Sequence, residues 1–129
     1  MHFLSADLQH YAETHSQAEP PLLAALSRET HLRVLQPRML SGHLQGRLLS
    51  LLSKLLSPSY IVEIGTFTGY ATLCLAEGLR PEGVLHTIEA NEEYQPIQDK
   101  YFQQSPYHSQ IVQHFAPALE VLPSLPDGI

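Results

Sequence analysis

The residues best suited to bind a ligand lie between positions 61 and 70, where an apolar run leads into a turn bounded by glycines. Gly65 and Gly69 stand where a buried β-strand would open into a helix. This geometry directs backbone N–H groups and the positive end of the helix dipole at a ligand. A second apolar run over residues 84–88 ends in Glu89, whose carboxylate can accept hydrogen bonds from both hydroxyls of a ribose. The two strand ends together predict a nucleotide or nucleoside pocket.

The spacing of the glycines narrows the kind of nucleotide. The dinucleotide fingerprint G-x-G-x-x-G uses three glycines, which serve a tight turn, the close approach of a pyrophosphate and the packing of the helix. Here three residues separate Gly65 from Gly69, and the third glycine is missing. A ligand without a pyrophosphate, such as an adenosine with a charged amino-acid tail, does not need that approach. Two other interpretations stay open: a nicotinamide-dependent oxidoreductase domain, or a plain turn beside a solvated strand end.

Strands and helices alternate from residue 60 onward, which is the pattern of βαβ units in a parallel α/β sheet. The pattern predicts strands over residues 60–64, 84–89 and 110–115, and helices over residues 69–80, after Asn91 as the N-cap, and over residues 117–121. Ligands bind such sheets outside the carboxyl ends of the strands, where Gly65 and Glu89 lie. The run over residues 60–64 is typical of a strand buried on both faces with a neighbour on each side, but the sequence supplies only one obvious neighbour.

Helices precede the predicted sheet. Apolar residues recur at helical spacing over residues 3–14 and 20–35, and Pro20 and Pro21 open the second of these helices. A connector over residues 36–42 leads to a third helix, whose leucine face consists of Leu44, Leu48, Leu51, Leu52 and Leu55. We expect this leucine face to pack against something large, and the polar residues of the same helix, including Arg47 and Ser50, to face elsewhere.

Amino-acid composition limits which binding partners and which cellular compartment are expected. The 129 residues include 43% apolar and 16% charged side chains, as in ordinary globular domains. The net charge of -6 disfavours nucleic acid as a partner. Because no apolar run is long enough to cross a bilayer and the amino terminus lacks a signal-peptide pattern, we expect no membrane association. The single cysteine, Cys74, excludes an intramolecular disulfide and favours a reducing compartment, with the cytoplasm as the default.

Neither the histidines nor Cys74 is predicted to be a reactive centre. The eight histidines are scattered, and pairs such as His10 with His15, or His108 with His114, lack the spacing of metal ligands. Cys74 is flanked by apolar residues in a predicted helix, which indicates a buried structural thiol. We therefore expect no metal ligands in this chain.

Several short motifs together resemble a known family. Residues 63–70 have the sequence Glu-Ile-Gly-Thr-Phe-Thr-Gly-Tyr, and this block is the most specific of them. The supporting pieces are Pro37-Arg38-Met39 followed by Gly46, then Thr87-Ile88-Glu89, and Ala118-Leu119 after the third strand. The chain resembles, over nearly its whole length, the S-adenosylmethionine-dependent O-methyltransferases of the caffeoyl-CoA and catechol type, especially their small bacterial members. The resemblance implies methyl transfer to a hydroxyl of a small-molecule acceptor that is catechol-like or CoA-linked.

The resemblance also implies an architecture, a Rossmann-like methyltransferase fold with a parallel sheet and flanking helices. Residues 1–57 would form amino-terminal helices that cover the sheet and the cofactor. Residues 58–129 would form the first half of the S-adenosylmethionine-binding domain, and the two parts would make one domain overall.

The family's functional positions can be carried over one by one. Met39 and Ser41 would border the cofactor and the acceptor, and Glu63 and Gly65 would hold the methionine end. Glu89 would bind the ribose, and Ala118 would lie near the adenine. The complete cofactor-binding set implied by the resemblance is Met39, Ser41, Glu63, Gly65, Thr66, Phe67, Gly69, Tyr70, Ala71, Glu89 and Ala118.

Two positions depart from the family pattern. The family commonly has serine where this chain has Ala71, and Gly-Asp where it has Ala116-Pro117. The missing hydroxyl at Ala71 removes one possible hydrogen bond to the cofactor carboxylate, worth about 1 kcal/mol. The backbone contacts to the cofactor do not depend on that hydroxyl.

A further departure is the absence of the family's later motifs. Family members continue into a strand that ends in an Asp-x-Asp-Lys motif and then reach an Asp-Asn pair, which supply the ligands of a divalent metal such as magnesium and a catalytic lysine. We therefore expect a fold truncated after the third strand and the following helix, with catalytic and metal-binding residues beyond Ile129. This 129-residue chain would then be inactive by itself. An unpaired strand edge would favour a homo-oligomer. A non-catalytic S-adenosylmethionine-binding or assembly module is the other interpretation of the missing half.

Overall fold

The structure, a computed structural model, describes residues 4–126. Three helices come first: α1 (Ala6–Thr14), α2 (Pro21–Arg33) and α3 (Gly42–Leu56), with a 3₁₀ turn at Pro37–Met39 before α3. Strands and helices then alternate as β1 (Tyr60–Ile64), α4 (Tyr70–Ala76), β2 (Val84–Glu89), α5 (Gln95–Gln104), β3 (Ile111–Phe115) and α6 (Ala118–Val121). Further 3₁₀ turns lie at Glu92–Tyr94, His108–Gln110 and Leu122–Ser124. None of these helices has the combination of length and apolarity that crossing a membrane requires.

The three strands form one parallel sheet in the order β1-β2-β3, which confirms the predicted α/β class. Tyr60 pairs with Val84 at the start of the sheet, and Glu89 pairs with Phe115 at its carboxyl edge. Local signals account for two of the starts, because Pro21 opens α2 and the Asn91 side chain caps the 3₁₀ turn before α5 by accepting a hydrogen bond from the backbone N–H of Glu93.

The core lies on one face of the sheet, between α2, α4 and α5. It consists of Leu23, Leu26, Tyr70, Leu73, Cys74, Tyr101 and Phe102, all of which are buried. Cys74 is completely buried, as predicted, and burial raises the pKa of its thiol to about 11 against the opposing effect of Arg47.

Strand β1 lies at the edge of this sheet. Within residues 4–126 it pairs only with β2, which agrees with the expectation of an unpaired edge. The expectation that β1 is buried on both faces is wrong. Val62 and Ile64 are 40% and 62% exposed, because α4 covers the other face, towards which Glu63 points. An apolar run therefore does not by itself show that both faces of a strand are covered.

The orientation of α3 is also opposite to the expected one. Its buried residues are Gly46, Arg47, Ser50 and Ser53, whereas in the leucine face only Leu44 is half-buried and the other four leucines are 46% to 73% exposed. Gly46 allows α4 to approach, since a Cβ there would lie 2.7 Å from Tyr70 Cε1 and 2.8 Å from Cys74 Sγ. Polar groups then hold the contact.

Those polar groups form a buried cluster between α3 and α4. Arg47 donates to both carboxylate oxygens of Glu77, at 3.1 and 2.5 Å. Ser50 donates to Glu77 Oε1 at 3.1 Å, and Ser53 Oγ donates to the Leu75 carbonyl at 2.6 Å. Burial works against ionisation of Glu77, but the hydrogen bonds and the charge of Arg47 outweigh it and lower the pKa of that carboxyl. This cluster, rather than the leucine face, orients α3.

Candidate functional site

The glycine turn, residues 65–69, joins β1 to α4 at the carboxyl edge of the sheet. The Gly65 N–H donates to the Ile88 carbonyl at 2.8 Å, which attaches the turn to β2. Gly65 and Gly69 have φ angles of 92° and 101°, a left-handed conformation that glycine adopts without penalty. Phe67 is also left-handed, with a φ of 50°. The turn is thus held in a shape that few sequences allow.

The two glycines of the turn have different surroundings. A Cβ at Gly69 would lie 2.5 Å from the Phe102 ring, so Gly69 is needed for the contact between the turn and α5. A Cβ at Gly65 would meet no atom within 4 Å. The space over Gly65 is therefore open, and a ligand can approach the backbone there.

Glu89 lies beside this open space at the end of β2. Its Oε1 accepts a hydrogen bond from the Phe67 N–H at 2.8 Å, and its Oε2 accepts one from the Asn91 N–H at 3.0 Å. A carboxylate has about four lone-pair positions, so each oxygen can still accept one more hydrogen bond. The backbone therefore fixes the orientation of Glu89 and leaves it able to receive two hydroxyl groups.

Glu63 lies on the α4 side of β1 and is 9% exposed. Its Oε1 accepts hydrogen bonds from the hydroxyls of Thr72 at 2.5 Å and Thr87 at 2.7 Å, while Oε2 has no hydrogen-bond partner within residues 4–126. Burial raises the pKa of Glu63, the two threonine hydrogen bonds oppose this, and the charge of Glu89 adds to it. A cationic group near Oε2 would favour the ionised form of this carboxyl.

Hydroxyl groups extend this network to the turn. Since Thr87 donates its one hydroxyl proton to Glu63, the 2.6 Å contact between the Thr66 and Thr87 hydroxyls must have Thr66 as donor. Neither Thr72 nor Thr87 belongs to the predicted set of site residues, although Thr87 lies in one of the supporting motifs. The sequence signal that could have identified them is a threonine at a position where the apolar pattern of the helix or strand predicts a buried side chain.

Met39 lies near the segment that follows β2. It is 56% exposed in the 3₁₀ turn before α3, where it lines a cavity of about 420 Å³. Asn91 and Tyr94, which follow β2, line the same cavity together with Arg33 and Gln36. The fold therefore brings Met39 close to the segment that follows Glu89.

The remaining residues of the predicted set are distributed around the edge of the sheet. Tyr70 is 1% exposed and its hydroxyl donates to Glu19, so its side chain supports the packing of α4. Ala71 is half-buried in the first turn of α4, and Ser41 immediately precedes α3. Ala118 is the first residue of α6, after β3. Their contacts with a cofactor stay predictions.

A histidine pair that sequence spacing did not indicate lies on the other face of the sheet. His86 Nδ1 and His114 Nε2 are 2.9 Å apart, and the Tyr60 ring lies 5.1 Å from the His86 ring. His86 is in β2 and His114 in β3, so only strand pairing makes them neighbours. Within residues 4–126, no three or more His, Cys, Asp or Glu side chains converge as metal ligands do.

Stability is expected to fall as the pH decreases through the titration of His86. Burial, and then the charge of His114, lower the pKa of His86 from its usual 6.5. The unfolded chain therefore binds a proton at His86 before the folded chain does. The contribution of His86 to the free energy of unfolding is fully present above about pH 6.5 and is lost as the pH falls through the lowered pKa.

Urea unfolding at about pH 7.5 and about pH 5.5, on either side of the ordinary histidine pKa, tests this expectation. The loss of stability between the two pH values should be smaller in His86→Gln than in the wild type. His10→Gln, in exposed α1, is the matched control and should behave as the wild type. An equal pH dependence in all three proteins would contradict the expectation. Glu63 is common to all three and so does not affect the comparison.

Comparison with known proteins identifies the family of this chain. A family profile described as O-methyltransferase matches residues 13–128. The chain belongs to the O-methyltransferase family. This confirms the resemblance and does not support the nicotinamide-dependent oxidoreductase or the non-catalytic module.

Individual relatives of this O-methyltransferase family member support the same family assignment. A catechol O-methyltransferase from Mycobacterium tuberculosis is 30% identical over 110 residues, which cover 85% of this chain and 49% of the relative. A catechol O-methyltransferase from Niastella koreensis is 32% identical over 81 residues, which cover 63% of this chain and 37% of the relative. The chain thus spans half or less of the length of these curated relatives.

A solved structure shows the same fold. The O-methyltransferase TomG from Streptomyces achromogenes, in complex with SAM, superposes with a TM-score of 0.85 at 29% identity. The match covers 95% of this chain and 55% of TomG. Three parallel strands with flanking helices are therefore the Rossmann-like methyltransferase fold, represented over about half of the length of TomG.

Proposed function

We propose that this O-methyltransferase family member binds S-adenosylmethionine over Gly65, between Glu63 and Glu89. The observation that carries the proposal is the open space at Gly65, where a Cβ would meet nothing within 4 Å. Glu63 on one side offers an oxygen without a hydrogen-bond partner within residues 4–126 for the ammonium group of the methionine end. Glu89 on the other side offers two oxygens for the ribose hydroxyls. The site thus fits a nucleoside with a cationic amino-acid tail.

When bound, S-adenosylmethionine supplies an electrophilic methyl group on a positively charged sulfur. We propose that the whole protein transfers this methyl group to a hydroxyl of a small catechol-like or CoA-linked acceptor. The role of the described residues is to bind and orient. Glu63 and Glu89 hold the two ends of the donor, and Met39 and Ser41 border its reactive centre. Residues 1–57 cover the sheet and the cofactor, and residues 58–129 provide the first half of the cofactor domain.

The magnesium ion implied by the resemblance does not fit the described residues, since no three or more candidate ligands converge within residues 4–126. The net charge of -6 supports a small-molecule acceptor rather than nucleic acid or a membrane surface. The single buried cysteine supports a reducing location, the cytoplasm.

Calorimetric titration of the 129-residue chain with S-adenosylhomocysteine, S-adenosylmethionine and NAD tests the cofactor assignment. We expect the first two to bind and NAD not to bind. Catechol, magnesium and S-adenosylmethionine should give no methylated product with this polypeptide. Binding of NAD alone would overturn the cofactor assignment, and methylated catechol would overturn the expectation of inactivity.

We also propose that the chain forms homo-oligomers by contact with a second copy of itself. The β1 edge is unpaired within residues 4–126, and four residues of the leucine face are 46% to 73% exposed. Helix α3 has no acidic residue, and Lys54 lies 3.5 Å from Glu77 of its own chain. Two leucine faces can therefore meet without repulsion between unpaired carboxylates, despite the net charge of the chain.

Light scattering after size exclusion should show a dimer or a larger species. The double variant Leu51→Glu/Leu55→Glu should dissociate it, since each buried leucine contributes about 1.5–3 kcal/mol. Leu119→Glu, at a leucine that is 86% exposed outside α3, is the control and should leave the size unchanged. A wild-type monomer at high concentration would contradict the proposal.

A further inference from the structure

Gln98, in the middle of α5, is completely buried, and both ends of its amide make hydrogen bonds. Its Nε2 donates to the Phe67 carbonyl oxygen at 2.6 Å, and its Oε1 accepts from Gln113 Nε2 at 2.9 Å. Because a backbone carbonyl can only accept, these contacts set the orientation of the amide. Gln98 therefore links the glycine turn to both α5 and β3.

Phe67 is the residue that Gln98 holds. Its left-handed conformation is uncommon for a bulky side chain and persists only where the surroundings enforce it. The Phe67 carbonyl has no other hydrogen-bond donor within residues 4–126. On the other side of the same residue, the Phe67 N–H donates to Glu89 Oε1 at 2.8 Å. Gln98 and Glu89 therefore hold the two peptide groups that flank Phe67.

We propose that Gln98 is a positioning residue for Glu89, the carboxylate that would bind the ribose. By holding the Phe67 carbonyl, it keeps the Phe67 N–H directed at Glu89 and so fixes the orientation in which that carboxylate meets two hydroxyls. The consequence for ligand binding rests on the proposed function, whereas the link from Gln98 through Phe67 to Glu89 is a property of the free protein. The two parts can be tested separately.

The first test measures S-adenosylhomocysteine affinity by calorimetry. Gln98→Met keeps the length of the side chain but removes both hydrogen bonds, and it should weaken binding about tenfold, the equivalent of one lost hydrogen bond. Gln103→Met, at an exposed position of the same helix, should bind as the wild type. In a double-mutant cycle with Glu89→Gln, the cost of Gln98→Met should largely disappear, since both changes act on the same carboxylate. A structural role alone would give additive costs.

The second test needs no ligand. Hydrogen exchange of the Phe67 amide, followed by NMR, should be slow in the wild type and in Gln103→Met, and at least about tenfold faster in Gln98→Met. If Gln98→Met does not fold, Gln98→Glu replaces it. This variant keeps the acceptor for Gln113, and a protonated carboxyl can donate to Phe67. Its affinity relative to the wild type should therefore recover as the pH decreases from about 8 to about 5.5.

The outcomes are distinct. Unchanged Phe67 exchange, or additive costs in the cycle, would overturn the positioning role even if the wild type binds S-adenosylhomocysteine. A wild type that does not bind would overturn the proposed function, and Phe67 exchange would then decide the positioning role alone. Coupled costs together with faster Phe67 exchange would support both.

Discussion

Glu89→Ala is expected to weaken the binding of S-adenosylhomocysteine by about a hundredfold or more. A hydrogen bond to a charged group contributes about 1.5–3 kcal/mol, and two ribose hydroxyls would lose such a partner, while tenfold in affinity corresponds to about 1.4 kcal/mol. The Phe67 and Asn91 N–H groups would also lose their acceptor, so Glu89 would no longer hold the turn in the shape that the structure shows. Calorimetry with the purified chain measures this loss.

Two companion variants show whether the loss belongs to the ribose contact. Glu92→Ala removes a carboxylate from the exposed segment after β2 and should leave the affinity unchanged. Glu89→Gln keeps one acceptor oxygen and should lie between the wild type and alanine. If Glu89→Ala remained folded and bound within about threefold of the wild type, a change under 1 kcal/mol, the ribose would not be bound by Glu89.

Glu77→Ala is expected to lower the free energy of unfolding by about 3–5 kcal/mol, the usual cost of leaving one partner of a buried ion pair unpaired. The Arg47 and Glu77 side chains are 7% and 16% exposed. The hydrogen bonds that Arg47 donates to Glu77 raise the pKa of Arg47 further above its ordinary value, and burial only partly opposes this, so the guanidinium stays protonated. Arg47 Nε already has no hydrogen-bond partner within residues 4–126. Urea unfolding at neutral pH measures the loss.

Matched substitutions in the same cluster distinguish the contribution of the buried ion pair to stability from that of a surface charge. Lys54 is 47% exposed and lies 3.5 Å from Glu77, so Lys54→Ala should cost at most about 1 kcal/mol. The double variant Arg47→Met/Glu77→Leu should recover much of the lost stability, because no uncompensated charge remains. A cost for Glu77→Ala as small as that for Lys54→Ala would show that the pair is not effectively buried.

The same ion pair has a defined pH dependence. The pKa of Glu77 is lower in the folded chain than its ordinary value of 4.5, so the folded state releases this proton more readily than the unfolded state. Its contribution to stability is present above about pH 4.5 and is lost as the pH falls through the lowered value. His86 acts nearer neutrality, so unfolding curves distinguish the two groups by their pH ranges.

Sequence alone was sufficient where the cause is local. The glycine turn was predictable because left-handed backbone at Gly65 and Gly69 requires glycine in that short segment. The start of α2 at Pro21 and the cap at Asn91 follow from the chemistry of single residues. Alternating strands and helices predicted the parallel sheet, and Glu89 was singled out because it ends a strand at the carboxyl edge of the sheet.

Side-chain partners distant in the sequence required the tertiary structure. Gln98 contacts Phe67, 31 residues away in the sequence, and His86 contacts His114, 28 residues away. No periodic pattern in the sequence predicts either contact. Apolar spacing also predicted the wrong buried face of α3. The polar face of α3 is turned inward because Gly46, which has no side chain, lets α4 approach closely and because Arg47 forms an ion pair with Glu77.

The sequence by itself thus determined the alternation of strands and helices, the parallel sheet and the position of the glycine turn. The tertiary structure decided which faces are buried and which polar groups fix that turn. The physical reason is the range of the interactions. Backbone preferences and caps act within a few residues, whereas the hydrogen bonds that orient Glu89, Phe67 and Gln98 exist only after β2 and α5 have packed around the turn.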